Sequence, residues 1–417
     1  MLKKCLFLLI IFLNLFTCVI YADDNLTDSN LSLNELNKTL ETSSDMTDIP
    51  IINARHAIIL DRNSKTVLYG KKEKEICKMA STTKIMTAIV VIENVNLKDT
   101  VTVSSKAART GGSRLGLSTN NTITVENLLY GLMMRSGNDA AVALAEYVGG
   151  NVEGFAEMMN KKSNELNLKS THFVTPHGLD NDDHFTTAYD LALLTDYALK
   201  NEIFSKIVKT KTYTITLNGY PKTLSNTNEL LGNLNGVYGV KTGFTNGANR
   251  CLVTSCKRGD LDIICVVLGC DTKKDRTRDS IKLINYTFNN FSVVNIKDII
   301  TSDFEEWYNE HTNSFTINKG ISQLFNVCLD NNDIPYSLVA INNNYINKIT
   351  TSICFDSYFE APVTSNTTIG TLSLLINNNE YFKVDILNSN EISKKSIIDY
   401  FLDLIFNYCD YFSFVKI

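Results

Sequence analysis

Strand-like runs stand at both ends of residues 51–295, and helix-like runs fill the middle of that segment. The strand-like runs are residues 55–60 and 66–69 at the start and 237–245, 251–255 and 261–268 at the end. Apolar residues at helical spacing lie between them, at 85, 86, 88, 89 and 92 and at 128, 129, 132 and 133. This order predicts an α/β domain in which the two chain ends meet in one antiparallel sheet flanked by helices.

The pattern changes near residue 296 to short apolar runs within polar stretches. The runs at 325–329, 337–341 and 382–387 predict a small all-β domain over residues 296–391. We find no catalytic constellation in it, and a spacer role is the default interpretation. Residues 392–417 differ again, because five polar residues fall in one narrow helical stripe among apolar and aromatic ones. These are Asp399, Asp403, Asn407, Asp410 and Ser413. The stripe predicts an amphipathic helix lying in the plane of a membrane surface.

The first 22 residues have the composition of an export signal. Lys3 and Lys4 precede an apolar run from Cys5 to Ile20, and Ala22 stands before a plausible cleavage site. An uncleaved membrane anchor and a lipoprotein processed at Cys18 are the alternatives. Residues 23–50 are rich in small polar side chains and predict a disordered linker. We therefore expect an exported protein on the outer face of the cytoplasmic membrane or in the cell wall.

Charge and cysteine content narrow the function classes further. Lys and Arg total 40 against 45 for Asp and Glu, so no basic excess is present for a nucleic-acid partner. Four of the ten cysteines cluster at separations that match no usual zinc site, and no histidine lies near them. These are Cys251, Cys256, Cys265 and Cys270. We interpret them as buried thiols, with a Cys251–Cys265 bridge as the alternative, and we predict no metal or cofactor.

Ser81-Thr82-Thr83-Lys84 is the first of three short motifs that together form a candidate active site. At a separation of three residues on a helix, the hydroxyl and the amine lie on the same face. A serine needs an adjacent base to act as a nucleophile, and a lysine serves as that base once burial or a second cation lowers its pKa. The same pattern in Ser413–Lys416 stands in the terminal helix and is not expected to be catalytic.

The second and third motifs are Ser136-Gly137-Asn138, between two helix-like segments, and Lys241-Thr242-Gly243, on a predicted strand. In the second, a hydroxyl can relay a proton and an amide can hold a substrate backbone. Ser-x-Asn also occurs at residues 32–34 and 118–120, so only its context favours residues 136–138. In the third, a lysine and a threonine offer a cation and a hydroxyl to a carboxylate, and the glycine allows an extended peptide to approach the strand.

The order of these motifs resembles the serine D-alanyl-D-alanine carboxypeptidases among the low-molecular-mass penicillin-binding proteins. Further segments resemble the same family over residues 51–285. These are residues 57–61, 79–88, 129–141, 176–179 and 187–192 and the strand around Lys241. The resemblance implies a β-lactamase-like or transpeptidase-like α/β domain, a small β domain and a C-terminal amphipathic helix. Two departures are Thr175, where the family has Asn, and Ala248-Asn249-Arg250 after the Lys241 strand.

The resemblance also implies a role for each motif residue. Ser81 would attack the carbonyl of the penultimate D-alanine of a peptidoglycan stem peptide, with Lys84 as base and Ser136 as proton relay. The substrate-binding residues would be Asn138, Lys241, Thr242 and Gly243, and the oxyanion hole would be the backbone N–H groups of Ser81 and Phe244. β-Lactams would be covalent inhibitors.

Three alternative functions share parts of this pattern. A D,D-endopeptidase acting on cross-links differs only in what the cleft admits. A β-lactamase needs an extra general base, such as a glutamate on a loop before Lys241, and we find no compelling candidate. An inactive wall-binding protein would retain the fold after losing the nucleophile or the lysine. None of the five histidines is spaced to form a triad with a serine, and His177 is interpreted as bracing a loop.

Overall fold

The computed structural model describes residues 29–43, 47–217, 219–311, 315–322, 326–330 and 337–414, without the side chains of residues 33, 43 and 407–414. The predicted export signal, residues 1–22, lies outside the described residues. The chain divides after Asn290 into two compact units. The strands of the first unit are β1 (His56–Asp61), β2 (Val67–Lys71), β3 (Thr100–Thr102), β4 (Thr122–Thr124), β5 (Thr212–Leu217), β6 (Tyr220–Ser225), β7 (Val237–Thr245), β8 (Asn249–Arg258) and β9 (Leu261–Cys270). Its helices are α1 (Leu33–Ser43), α2 (Lys84–Asn94), α3 (Ser105–Arg109), α4 (Val125–Met134), α5 (Asn138–Gly149), α6 (Val152–Glu165), α7 (Ala188–Lys200), α8 (Glu202–Lys209) and α9 (Lys273–Asn290).

The main sheet of the first unit joins the two ends of its chain. Its strand order is β2-β1-β9-β8-β7, and each neighbouring pair is antiparallel. β1 lies beside β9 with Ile58 opposite Val266. Every residue of β9 except Asp262 is buried, because helices α7 and α9 both pack on it. The predicted antiparallel sheet with flanking helices is therefore confirmed.

Helix α2 runs through the interior of this unit. Its first eight residues are all buried, and it contacts helices α4 to α8. A helix that is apolar on all sides is stable only when its neighbours cover it completely. The one charged residue in this buried stretch is Lys84, at its start. The fold thus places a lysine amine in the protein interior.

The segment predicted to be a disordered linker contains helix α1. Ser32 and Glu35 form a reciprocal cap, in which each backbone N–H donates to the other side chain, at 2.9 and 3.3 Å. Leu36 is buried, and Lys274 of α9 donates to Glu35 at 2.9 Å. One capped turn and one buried leucine hold this stretch in a helix. The prediction of a disordered linker was wrong here, because it depended on the overall polar composition alone.

The second unit is built on a four-stranded antiparallel sheet. In chain order its elements are β10 (Phe291–Asn295), α10 (Ile296–His311), β11 (Thr316–Asn318), β12 (Val327–Leu329), β13 (Leu338–Asn342), β14 (Ile349–Phe355), β15 (Tyr358–Glu360), β16 (Thr368–Ile376), β17 (Asn379–Asn388) and α11 (Ile397–Phe414). The sheet order is β12-β17-β16-β14. Two features differ from the predicted all-β domain that starts at residue 296. Helix α10 packs Ile300 and Phe304 into the core, and β10 pairs with β13, so this unit begins at Phe291.

The clustered cysteines lie in β8 and β9 and are buried, as predicted. The strand register places Cys251 opposite Gly243 and Cys265 opposite Thr254, so the Cys251–Cys265 bridge does not form. Burial raises the pKa of the Cys251 thiol to about 11, which leaves it protonated and unreactive. Among the described residues, no group of three His, Cys, Asp or Glu side chains is arranged to hold a metal ion.

Candidate active site

The candidate nucleophile Ser81 lies in a short 3₁₀ turn, Ala80–Thr83, that leads into α2. The turn begins with Ala80 at a φ of +48°, a left-handed conformation that is costly for a residue with a side chain. Three side-chain contacts hold it. Thr82 Oγ1 donates to the Met79 carbonyl at 2.6 Å, and Thr83 Oγ1 donates to the Ala80 carbonyl at 2.7 Å. His184 Nε2 lies 2.8 Å from Thr83 Oγ1. The half-buried serine is therefore presented on a braced turn.

Lys84 lies directly behind this serine. Its Nζ is 2.8 Å from each of three oxygens, namely Ser81 Oγ, Asn138 Oδ1 and the His177 carbonyl, and the side chain is fully buried. Burial lowers the pKa of Lys84 well below its usual value, and the nearby Lys241 charge lowers it further, while Asp139 opposes both. A neutral amine at this position can accept the Ser81 proton.

Ser136 and Lys241 form the opposite side of the site. Ser136 stands between α4 and α5 with a φ of +56°, and Lys241 Nζ donates to its Oγ at 3.0 Å. Lys241 Nζ also donates to the Thr242 carbonyl at 2.8 Å, and its side chain is buried. The structure thus brings the three motifs together, because Lys84 contacts Asn138 of the second motif and Lys241 contacts Ser136 of the same motif.

The end of β7 packs, at Gly243, against the Ala80–Thr83 turn, here called the nucleophile turn because it carries the candidate nucleophile. A Cβ atom on Gly243 would lie 3.1 Å from the Ser81 amide nitrogen and 3.2 Å from Ala80 Cβ. The glycine therefore lets β7 approach the turn, which is a different reason from the peptide approach inferred from the sequence. This closeness places the Ser81 amide beside the strand that carries Phe244, as an oxyanion hole between their N–H groups requires.

Sequence reasoning missed several residues that hold the site. Thr227 Oγ1 lies 2.8 Å from Thr242 Oγ1, and Asp180 accepts hydrogen bonds from Thr245 Oγ1 at 2.6 Å and the Gly247 amide at 2.8 Å. The Asp139 carboxylate and His184 are buried nearby. Each lies on a loop or a helix start with no distinctive spacing, so the linear pattern carried no signal for them.

The histidines brace loops, as inferred for His177. The His177 carbonyl accepts from Lys84, and its Nδ1 accepts from the Leu179 amide at 3.2 Å. His184 Nδ1 accepts from the Val174 amide at 2.9 Å, which leaves Nε2 to donate to Thr83. Thr175, where the family resemblance implied Asn, uses its hydroxyl to accept from the Gly178 amide at 3.1 Å. The loop is thus closed by a different side chain.

Fold and site together define a class, the serine-type hydrolases with the penicillin-binding fold. A family model described as D-alanyl-D-alanine carboxypeptidase matches residues 42–272, and the chain belongs to this family. The D-alanyl-D-alanine carboxypeptidase DacF of Bacillus subtilis is 33% identical over 77% of this chain and 81% of the relative. Penicillin-binding protein 5 of Haemophilus influenzae superimposes with a TM-score of 0.66 and 26% identity, covering 84% of this chain and all of that one. DacD of Francisella tularensis, at 24% identity, shares the fold with a TM-score of 0.68 over 84% of this chain and 96% of its own.

Proposed function

We propose that this serine D,D-carboxypeptidase removes the terminal D-alanine from peptidoglycan stem pentapeptides through an acyl-enzyme on Ser81. Ser81 Oγ attacks the carbonyl of the penultimate D-alanine while Lys84 takes its proton. The contact of 2.8 Å between the buried Lys84 Nζ and Ser81 Oγ is the observation that supports this assignment most directly. Serine acquires useful nucleophilicity only beside such a base.

The other motif residues then act on the intermediate and the leaving group. The N–H groups of Ser81 and Phe244 bind the oxyanion. Ser136 relays to the nitrogen of the departing D-alanine the proton that Lys84 took from Ser81, and this returns the Lys84 amine to its neutral form. Lys241, 3.0 Å from Ser136 Oγ, supplies the positive charge for the terminal carboxylate together with the hydroxyl of Thr242. Asn138 positions the peptide, and Gly243 lets β7 close on the turn. A water molecule, deprotonated by Lys84, attacks the ester, and the proton then passes from Lys84 to Ser81 Oγ as the shortened peptide leaves.

β-Lactams would acylate the same serine. Opening of the β-lactam ring leaves an ester on Ser81 whose leaving group stays attached, so the whole molecule adds to the mass of the protein. The test is intact mass after incubation with penicillin for the wild type, Ser81→Ala and Ser136→Ala. We expect one adduct on the wild type, none on Ser81→Ala and slow labelling of Ser136→Ala. Ser118→Ala, in an exposed Ser-x-Asn pattern, is the matched control and should be labelled normally. An equal adduct on Ser81→Ala would refute the nucleophile.

The β-lactamase alternative is disfavoured by the position of Glu229. This glutamate lies on the loop before Lys241, where a base for rapid deacylation would be sought. Its carboxylate is paired instead with Arg276 of α9 at 3.2 Å and also accepts from Thr277 Oγ1. A carboxylate held by Arg276 and Thr277 of α9 is poorly placed to activate water at Ser81. The endopeptidase alternative is tested by offering a cross-linked peptide dimer beside the pentapeptide.

We propose that the protein acts outside the cytoplasm and rests on the membrane surface through α11. Large apolar side chains of this helix are exposed over its first ten residues, among them Ile397 at 89%, Leu404 at 67% and Phe406 at 65%. An exposed apolar helix face of this kind favours insertion into a lipid interface. None of the helices in the described ranges is long and apolar enough to cross a bilayer.

A further inference from the structure

Residues 111–117, here called the rim loop, connect α3 to the segment before β4 and lie against the Ser136-Gly137-Asn138 turn. Asn138 is the link between them. Its Nδ2 donates to the Gly111 carbonyl at 2.8 Å, and its backbone N–H donates to the Ser113 carbonyl at 2.8 Å. The other end of the same side chain, Oδ1, lies 2.8 Å from Lys84 Nζ. Any displacement of the rim loop therefore changes the orientation of the amide that contacts Lys84.

The second half of the rim loop is held by one carboxylate. Asp139, next to Asn138 and fully buried, accepts hydrogen bonds from three successive loop amides. They come from Leu115 at 2.8 Å, Gly116 at 2.8 Å and Leu117 at 2.9 Å, and the Ala140 amide adds a fourth at 2.9 Å. Arg114 Nε lies 3.9 Å away. A buried carboxylate with four N–H donors is fully satisfied and stabilises the backbone that surrounds it.

A lysine fixes the rim loop from the other side. Lys222, on strand β6 of the β5–β6 hairpin, donates from Nζ to the Leu115 carbonyl. Leu115 thus has its N–H bound by Asp139 and its C=O bound by Lys222. The hairpin itself lies outside the three catalytic motifs.

We propose that Asp139 is a positioning residue of the carboxypeptidase, which holds the rim loop so that Asn138 orients Lys84 and which places a fixed negative charge near that lysine. The inference rests on the proposed function of Ser81 and Lys84. The charged and titratable groups around Lys84 are Lys241 on β7, Asp139 on α5, and His177 and His184 on the loop before α7. Asp139 is the one anion among them, and it opposes the effect of Lys241.

The test compares Asp139→Asn with Lys222→Ala in the second-order rate constant for acylation by penicillin, measured as a function of pH. Asp139→Asn replaces an acceptor by an amide that faces loop N–H groups, so we expect acylation to slow by about tenfold or more. It also removes the negative charge, so the acid limb of the pH profile should move to lower pH. Lys222→Ala should slow acylation less and leave the profile in place, and Lys222→Arg should restore the rate.

Glu153→Gln, at an exposed position of α6, is the control for loss of a carboxylate outside the site. An acylation rate constant and a pH profile equal to those of the wild type in Asp139→Asn would overturn the proposal. A slower acylation with an unmoved pH profile would also overturn it, because a merely structural role predicts that result. If Asp139→Asn does not fold, unchanged acylation in a folded Lys222→Ala would overturn it. If the wild type itself forms no adduct, the proposed function is refuted. This outcome is distinct from a failure of the Asp139 proposal, in which the wild type is still acylated.

Discussion

Lys84 combines three short contacts with complete burial, and this combination favours the neutral amine that can act as a base. Its amine has three oxygen neighbours at 2.8 Å, and the second cation, Lys241, is held on the far side by Ser136. Both burial and the neighbouring charge favour the neutral amine, because each penalises the ammonium form.

Replacing Lys84 with alanine tests this assignment. Lys84→Ala removes the proton acceptor while leaving the Ser81 hydroxyl on its turn, so acylation by penicillin should fall by roughly 10²-fold to 10⁴-fold. The measurement is the time course of the intact-mass adduct, with circular dichroism to verify the fold. Labelling at the wild-type rate in the folded variant would show that another group deprotonates Ser81.

His184 predicts an acid sensitivity of the folded state. Burial is the main cause that lowers the pKa of His184 to about 4, from an ordinary value of 6.5. The unfolded chain therefore binds more protons than the native one between those values, and stability is lost as pH falls from 6.5 towards 4. At pH 5 this loss is roughly 2 kcal/mol for one such histidine.

Urea unfolding of the wild type and His184→Gln at pH 7 and pH 5 measures this effect. The variant should lose about 2 kcal/mol less than the wild type on acidification, because its side chain does not titrate. His177, whose pKa burial lowers to about 3, continues to contribute in both proteins. An equal loss in the wild type and His184→Gln would contradict the buried, neutral His184.

At the residue scale, the sequence predicted the groups to which we assign the chemistry but not the groups that hold them in place. Ser81 and Lys84 stand three residues apart, so helical geometry alone predicts their contact. Thr227, Asp180 and Asp139 reach the site from loops and from a helix start, and their contacts depend on the tertiary fold. No local spacing records such contacts.

At the element scale, the nucleophile turn, β7 and the loop before α7 form one interlocked unit. Gly178 shows how closely they pack, since a Cβ atom there would lie 2.0 Å from the Ala80 carbonyl oxygen. Asp180 of the same loop joins it to Thr245 and Gly247 at the end of β7. Strand β7, which carries Phe244, is thus joined to the loop that also supplies the His177 carbonyl to Lys84.

Removing the Asp180 contacts to the end of β7 should slow acylation without removing any group to which we assign a catalytic role. Asp180→Ala abolishes both acceptor contacts to the end of β7, so the Phe244 N–H loses its fixed position. We expect acylation by penicillin to slow by about tenfold to 10²-fold, because a displaced donor should cost less than the roughly 10²-fold to 10³-fold loss seen when one oxyanion-hole donor is removed. Asp182→Ala, fully exposed on the same loop, is the matched control. Equal rates for both variants would show that Asp180 does not position the strand.

The sheet and the buried helix α2 were predictable because their apolar runs are long and periodic. Three details were not. Ser81 lies in a 3₁₀ turn and not within the helix, which begins at Lys84. Helix α1 depends on a single cap and one buried leucine. Helix α10 was not predicted, because short strand-like runs follow it in the sequence. Its buried residues Ile296, Ile300 and Phe304 do recur at the four-residue interval of a helix.

At the scale of the whole molecule, α11 is the segment expected to determine where the enzyme acts. Lys395 Nζ donates to Asp403 at 2.6 Å, and Ser396 caps the helix through Asp399, so its polar contacts lie at its start. The apolar side chains remain exposed. The structure does not describe the side chains of the other three predicted stripe residues, which are Asn407, Asp410 and Ser413.

Removal of residues 396–417 from the full chain tests the membrane role. We expect the truncated protein to lose binding to phospholipid vesicles and to retain acylation by penicillin, because none of the residues that we assign to the active site lies in the deleted segment. The double variant Phe401→Glu and Leu404→Glu, both exposed positions, should weaken binding in the same way with the helix retained. Vesicle binding that survives both changes would mean that the attachment lies elsewhere in the chain.

The D-alanine-releasing activity that we propose depends on formation of an acyl-enzyme on Ser81. The most direct measurement is release of D-alanine from an N-acylated Lys-D-Ala-D-Ala peptide by the exported form, beside Ser81→Ala, with intact mass after penicillin on both. We predict steady release and a single penicillin adduct for the wild type, and neither for Ser81→Ala. Release by Ser81→Ala, or a folded wild type that gives neither product nor adduct, would contradict the claim.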